Sequence, residues 1–425
     1  MGRFISLGEY NKQYKYIWIY LVIRFVLTFT FDNELIFDQF HTDLLDIPWH
    51  PFISLQFFYI AFIIISLILI IIKKVRQKKE FDQDLTEGKL IYNKTSIESE
   101  YGVEQSDYFL FVNLFFVVIA DLFEETVTKF QCSMFRYWMF EMFFFEIICS
   151  KLLKTKIYKH HIYSFVFILS FCSLIKSIVT IIYFVNDTDN VKIFENRKWL
   201  IPTAIIVFLL YYIFKAYIYC NEKYYLEKRV ISIRNYLLLY GIFGIITSSI
   251  CAIISTYVPC GDDTVPELSK IVCSYKDDNN IYYFDSYSIY FKKLSSEFFS
   301  LKILFIIIES ILYYASNYYI YVIYKRLSPI YHICMTRLNV LILTILGFIN
   351  ELINNDNLQK IDISIGILNI INLLFYVLGS IVYLEFIELN FCDLNFYTKR
   401  KIRERANTDI RISLGDISVN SEIDE

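Results

Sequence analysis

FISLQFFYIAFIIISLILIII, residues 52–72, is an uninterrupted apolar run without a single charge. An α-helix rises about 1.5 Å per residue, so a run of this length crosses a hydrocarbon layer of roughly 30 Å. The surrounding composition agrees: 56% of the chain is apolar and 19% aromatic, with only 11 Gly and 6 Pro among 425 residues. Disordered and collagen-like classes are excluded. Lys+Arg 41 against Asp+Glu 44 gives a formal charge of −3, so there is no global basic field to hold nucleic acid. Ile, Phe, Tyr, Asn and Lys are abundant together, as in AT-rich genomes, and lone Tyr, Asn and Lys are discounted for that reason.

Working outward from 52–72, the same reading finds nine more spans: 14–31, 108–124, 134–150, 162–185, 200–220, 236–258, 298–324, 334–353 and 363–391. Loop charge tests the count, because Lys and Arg near span ends favour the cytosolic side. Alternate segments from the N-terminus carry 26 Lys+Arg and the intervening ones 9, the remaining 6 lying in spans. Both termini are therefore expected in the cytosol. No cleaved signal peptide is expected, and the Met1-Gly2 start only loosely fits a myristoylation pattern. Residues 73–107 read as a charged, solvated loop, and 392–425 as a short basic interfacial helix followed by a largely disordered tail.

Most of the nine Cys fall in apolar runs and read as small packing residues. Cys260 and Cys273 share the long non-cytosolic loop 258–297, where a disulfide and two free thiols stand as alternatives. The Asn186-Asp187-Thr188 sequon lies on the same side, close to the membrane.

Ionisable groups inside spans are costly, about 2.5–3.5 kcal/mol on insertion scales, and usually face a cavity or a partner helix. In the eighth span Lys302, Glu309, Tyr313, Ser316 and Asn317 fall on one face at 3.6 residues per turn. Ser173, Lys176, Ser177 and Thr180 form a shorter stripe in the fifth, and Tyr20, Arg24 and Thr28 another in the first. Interhelical bonding that merely holds the bundle is the competing reading of each. Lys302 and Lys215 lie where an ammonium can snorkel to the interface. Glu141 of the fourth span reaches a cavity if one exists, and Glu146 pairs with the basic loop after it. Asp121, Glu124 and Glu125 share a face near a span end, where headgroups or Lys129 solvate them. Gly241, Gly244, Ser248, Cys251 and Ser255 form a stripe of small residues, read as a packing seam rather than a solute surface.

Enzyme chemistry finds little support: no H-E-x-x-H, paired C-x-x-C, Walker or Rossmann pattern is present, so no catalytic residue, metal or cofactor is expected. His160-His161 are adjacent on a basic loop, and His41…Asp46 matches the His-x4-Asp spacing only as a chance pattern.

Two passages carry a resemblance. YKRLSPIYHICMTRLNVLILTILGFI (324–349), followed by ISIGILNIINLLFYVLGSIVY, and MFRYWMFEMFFFEIICSKLLKTKIYKHHIYSFVFILS (134–170) each place helix, short turn and helix at matching points of two halves. They resemble the drug/metabolite transporter superfamily, which includes nucleotide-sugar, triose-phosphate and chloroquine-resistance-type transporters. The Cys-bearing loop is similar to that of the last branch. The resemblance implies an all-α membrane protein of ten transmembrane helices in two inverted five-helix repeats, 1–185 and 186–391. It also implies alternating-access movement, as an antiporter, of a small anionic metabolite such as a nucleotide sugar or phosphorylated compound across a Golgi, endoplasmic reticulum or vacuolar membrane. Arg337 is similar to a basic residue found early in the family's ninth helix.

The expected solute-binding set is thus Arg24, Lys176 and Arg337 for charge, with Tyr313, Ser316, Asn317 and Asn339 as hydrogen-bonding groups and Glu309 beside them. A rival reading makes Glu141 and Glu309 proton carriers coupled to export of cations, amino acids or peptides. A third class is a non-transporting membrane scaffold or lipid-acting protein. The expected partners are the bilayer and a small solute, with a second copy of the chain left open.

Overall fold

The computed structural model describes residues 19–26, 50–86, 108–129, 174–175, 200–227, 232–261, 273, 275–276, 280–295, 299–326, 329–354 and 360–383, with isolated positions at 387, 401 and 405. The expected fourth span and nearly all of the fifth, with Glu141 and Lys176, lie outside the described residues. The described part is an all-α membrane protein carrying one small hairpin. Three of its helices have segments long and apolar enough to cross a bilayer: Pro51–Gln77, Ile233–Tyr257 and Phe299–Lys325.

The helices are α1 (19–26), α2 (Pro51–Thr86), α3 (Tyr108–Lys129), α4 (Leu200–Glu227) and α5 (Ile233–Tyr257). After the hairpin come α6 (Tyr287–Leu294), α7 (Phe299–Arg326), α8 (Pro329–Asn354) and α9 (Lys360–Tyr383). At 36 residues α2 is about 54 Å long, so the run KKVRQKKEFDQDLT, expected as loop, is helical. Its Lys, Arg, Gln and Glu are good helix formers, and a helix already nucleated by the apolar span extends into them at little cost.

Among the described helices α2 and α5 form the most extensive pair. Tyr59 lies against Gly244 and Ile63 against Gly241, while Arg234 donates to the Leu69 carbonyl at 3.3 Å. Residue number rises along one helix as it falls along the other, so the two run antiparallel. A Cβ at Gly241 would stand 2.9 Å from the Tyr59 carbonyl oxygen, and one at Gly244 would overlap the Tyr59 ring. The small-residue stripe of α5 is therefore a packing seam, with Gly required by close approach. Ser248, fully buried on the same helix, bonds back to the Gly244 carbonyl at 2.7 Å.

The described residues of the loop after α5 carry a disulfide and a small hairpin. Cys260 and Cys273 are disulfide-bonded, and β1 (Tyr275–Lys276) pairs antiparallel with β2 (Tyr282–Tyr283). Asn280 takes φ 62° in the intervening turn, a region Asn tolerates better than most residues. Cys260 N–H donates to the Tyr282 carbonyl and Tyr282 N–H to that of Gly261, both at 2.8 Å, so the disulfide and the hairpin brace one another. Cys220, expected as a free packing residue, is instead disulfide-bonded.

Candidate functional site

Three polar centres are built from these elements. The first sits over the start of α2. Pro51 at the first helical position lacks the N–H that a helix start would leave unpaired, and the next two donors, Phe52 and Ile53, are accepted by Asp285 Oδ2 at 2.8 and 3.2 Å. Asp285 Oδ1 lies 2.6 Å from His50 Nδ1, with both side chains at 0% exposure. The His50 ring stacks on Tyr275 at 3.8 Å and meets the Tyr290 edge at 5.2 Å. Gln56 donates to Tyr287 Oη at 2.6 Å, and Tyr287 N–H donates to Thr256 Oγ1. The loop is thereby clasped to both α2 and α5. Burial pushes the Tyr290 phenol above its ordinary range, and the nearby Glu309 and Asp285 charges push it the same way. Sequence reasoning missed this centre, whose partners stand 235 residues apart.

The second centre joins α1, α4, α7 and α8. Tyr20, 1% exposed, shares a 3.0 Å hydrogen bond with Thr336 Oγ1, and its ring meets the His332 edge at 5.3 Å. His332 Nδ1 is 3.1 Å from Tyr324 Oη, and Tyr219 closes on both rings. Arg24 and Lys215 both act electrostatically on the Tyr20 phenol. Lys215, half-buried, donates to Tyr211 Oη one turn back on its own helix at 2.8 Å. Arg337 and Asn339 follow Thr336 on α8, their side chains lying outside the described residues.

The third centre holds two carboxylates by tyrosines. Asp121 Oδ2 accepts Tyr59 Oη at 3.3 Å and also Tyr240 Oη. Asp121 is therefore tied to α2 and α5, a correction to the expected solvation by headgroups. Glu222, 3% exposed, accepts Tyr236 at 3.2 Å and Tyr321 at 3.0 Å on the same oxygen, Oε1. Tyr236 and Tyr240 are one turn apart on α5 and thus share a face. Glu222 lies two residues past the 200–220 span. Burial raises its carboxyl to about 7, against the opposing pull of the Tyr321 and Tyr236 hydrogen bonds and the Lys215 charge.

The α7 stripe is distributed differently. Tyr313 stacks on Phe58 at 4.3 Å and on Phe62 at 5.8 Å. Asn317 donates to the Tyr313 carbonyl of its own helix at 3.0 Å, Ser316 is buried, and Glu309 is half-buried toward Tyr290. Lys302, 1% exposed, does not snorkel; its ammonium donates to the Lys293 carbonyl at the end of α6, at 3.0 Å. The structure thus brings Tyr20, one turn from Arg24, to α8, but leaves Tyr313, Asn317 and Lys302 in three separate contacts. No protein-family model matches the chain, and no curated protein matches it.

Proposed function

We propose that the protein is a polytopic transporter that moves a small anionic metabolite by alternating access. One observation carries the reading: buried Tyr20 is hydrogen-bonded to Thr336 beside the His332–Tyr324 pair, and it lies within the electrostatic reach of Arg24 on its own helix and Lys215 on α4. Two cations beside neutral donors suit a phosphate or carboxylate, the cations supplying attraction and the hydroxyls orientation. In this reading Arg337 and Lys176 add to the same positive potential. Tyr20 is closed from solvent, so solute entry requires the surrounding helices to part.

The proposal includes ten spans in two inverted repeats with both termini cytosolic. The antiparallel packing of α2 on α5 supports it, since these are the second and seventh spans and an in-plane two-fold axis would relate them in that sense. His50 and Asp285, both in segments assigned to the non-cytosolic side, also meet at one end of the bundle.

Counter-exchange by purified protein in proteoliposomes tests the function, comparing a sugar phosphate and a nucleotide sugar with amino acids and short peptides. Saturable exchange confined to the anions is expected, and Arg24→Ala should lower it about tenfold or more for loss of a charged hydrogen bond worth ~1.5–3 kcal/mol. Equal exchange by Arg24→Ala, with normal folding, would remove Arg24 from the site; exchange of none of these solutes would refute the reading.

A further inference from the structure

Glu222 stands out among the groups that the solute site does not use. Its side chain is buried, yet both of its hydrogen-bond partners are uncharged phenols, and they come from two different helices. A buried carboxylate held by neutral donors lacks the compensating cation that usually accompanies buried charge. Among the described residues, the charged and titratable groups acting on Glu222 or on its two phenol partners are Tyr236 on α5, Tyr321 and Tyr324 on α7, Asp121 on α3 and Lys215 on its own α4. His332 of α8 follows through Tyr324. Of these, Lys215 alone is cationic at neutral pH, and it is two turns away and bonded to Tyr211.

We infer that Glu222 is a proton-binding site, and that its loading is coupled to movement of the solute. This rests on the transporter reading above. Oε1 accepts both phenol O–H groups and joins α4 to α5 and α7 at one end of the bundle. Ionised, the buried carboxylate favours entry of water and parting of α5 and α7 from α4. When a proton from water binds the carboxylate, the charge is removed and the three helices close on the neutral group. The step consumes one proton and needs no other reactant. Lys215 acts on both Glu222 and Tyr20, so a solute anion arriving beside Lys215 weakens its hold on the Glu222 charge and favours protonation. Solute and proton therefore bind with positive coupling, which is reciprocal by necessity.

The test uses the full chain in lipid vesicles, wild type against Glu222→Gln, which keeps an acceptor oxygen but cannot titrate. Infrared difference spectroscopy across neutral pH should show a protonated carboxyl band in wild type that is missing in Glu222→Gln. In the same vesicles, sugar-phosphate counterflow at equal pH should be similar for both. An imposed gradient of one pH unit should drive up to about tenfold accumulation per coupled proton in wild type alone. Glu222→Asp should retain both the band and the gradient response. An unchanged band in Glu222→Gln overturns the proton site whatever transport shows. A retained gradient response in Glu222→Gln overturns the coupling while leaving the transporter intact. A normal band loss with no exchange by either protein overturns the coupling together with the transporter reading.

Discussion

Asp285→Ala is the most informative perturbation of the clasp between α2 and the Cys260–Cys273 loop. The substitution deletes a hydrogen bond to His50 and two acceptor contacts to the Phe52 and Ile53 amides. Hydrogen bonds to charged groups contribute about 1.5–3 kcal/mol, and loss of a helix cap costs roughly 0.5–2. Because His50 stays buried after its partner is gone, the cost should approach that of breaking a buried pair, ~3–5 kcal/mol. The loss is local, so its readout is hydrogen exchange at the Tyr282 and Cys260 amides, whose bonds close the hairpin. At about 1.4 kcal/mol per factor of ten, their exchange should accelerate by roughly two to three and a half orders of magnitude where closing outpaces exchange. Asp285→Asn keeps an acceptor oxygen for the helix amides while losing the charge, and should accelerate exchange much less. Protection unchanged in Asp285→Ala would mean that the disulfide and tyrosine stacking hold the loop without the dyad, and would refute the reasoning.

Gly244→Ala places a methyl group into the Tyr59 ring and should destabilise the α2–α5 pair by about 1–3 kcal/mol, as overpacking does. Thermal denaturation in detergent reads the loss, and Tyr59→Ala in the same chain should recover part of it; failure of that rescue would place the strain elsewhere. The Glu222 prediction concerns pH. Its folded-state carboxyl is raised from 4.5 to about 7, so the folded state binds more protons than the unfolded one within that window. Stability from this group is therefore present below about 4.5 and lost as pH rises through about 7, a change of about 3 kcal/mol. The gap in thermal stability between Glu222→Gln and wild type should widen over that interval and then level off. A gap that stays constant with pH would show that the carboxyl does not titrate there.

The legible parts of this chain are those in which local pattern and tertiary role coincide. Residues 52–72 announce a buried helix because no other structure hides so many backbone polar groups in lipid. The Gly241, Gly244 and Ser248 spacing announces a seam because small residues matter only where another helix comes close. Residues 73–86 are helical where the charge run suggests a solvated loop, because Lys, Arg, Gln and Glu propagate a helix that the apolar span has already nucleated. The polar centres were hidden for a different reason. Their members are Tyr, Asp and Glu at positions that look ordinary alone, and the chain has 36 Tyr, so discounting each one was sound counting and the wrong physics. Among the described tyrosines, Tyr59, Tyr236, Tyr240 and Tyr321 are set apart by a carboxylate across a helix interface.

That difference also explains why the expected site and the observed centres overlap only in part. The α7 stripe is defined by angular spacing alone, yet a helix face is polar in sequence whether it lines a solute path or bonds to its neighbours. Tyr313 settles onto the Phe58 and Phe62 rings, where stacking and apolar burial reward the aromatic body and ask little of the hydroxyl. Tyr20, Tyr236 and Tyr321, by contrast, are buried with their hydroxyls bonded, which fixes rotamer and partner together. Groups so fixed are the ones able to register a change of charge. Under the proposed coupling, a change of charge at Glu222 would be met first by Tyr236 and Tyr321, which carry it to α5 and α7.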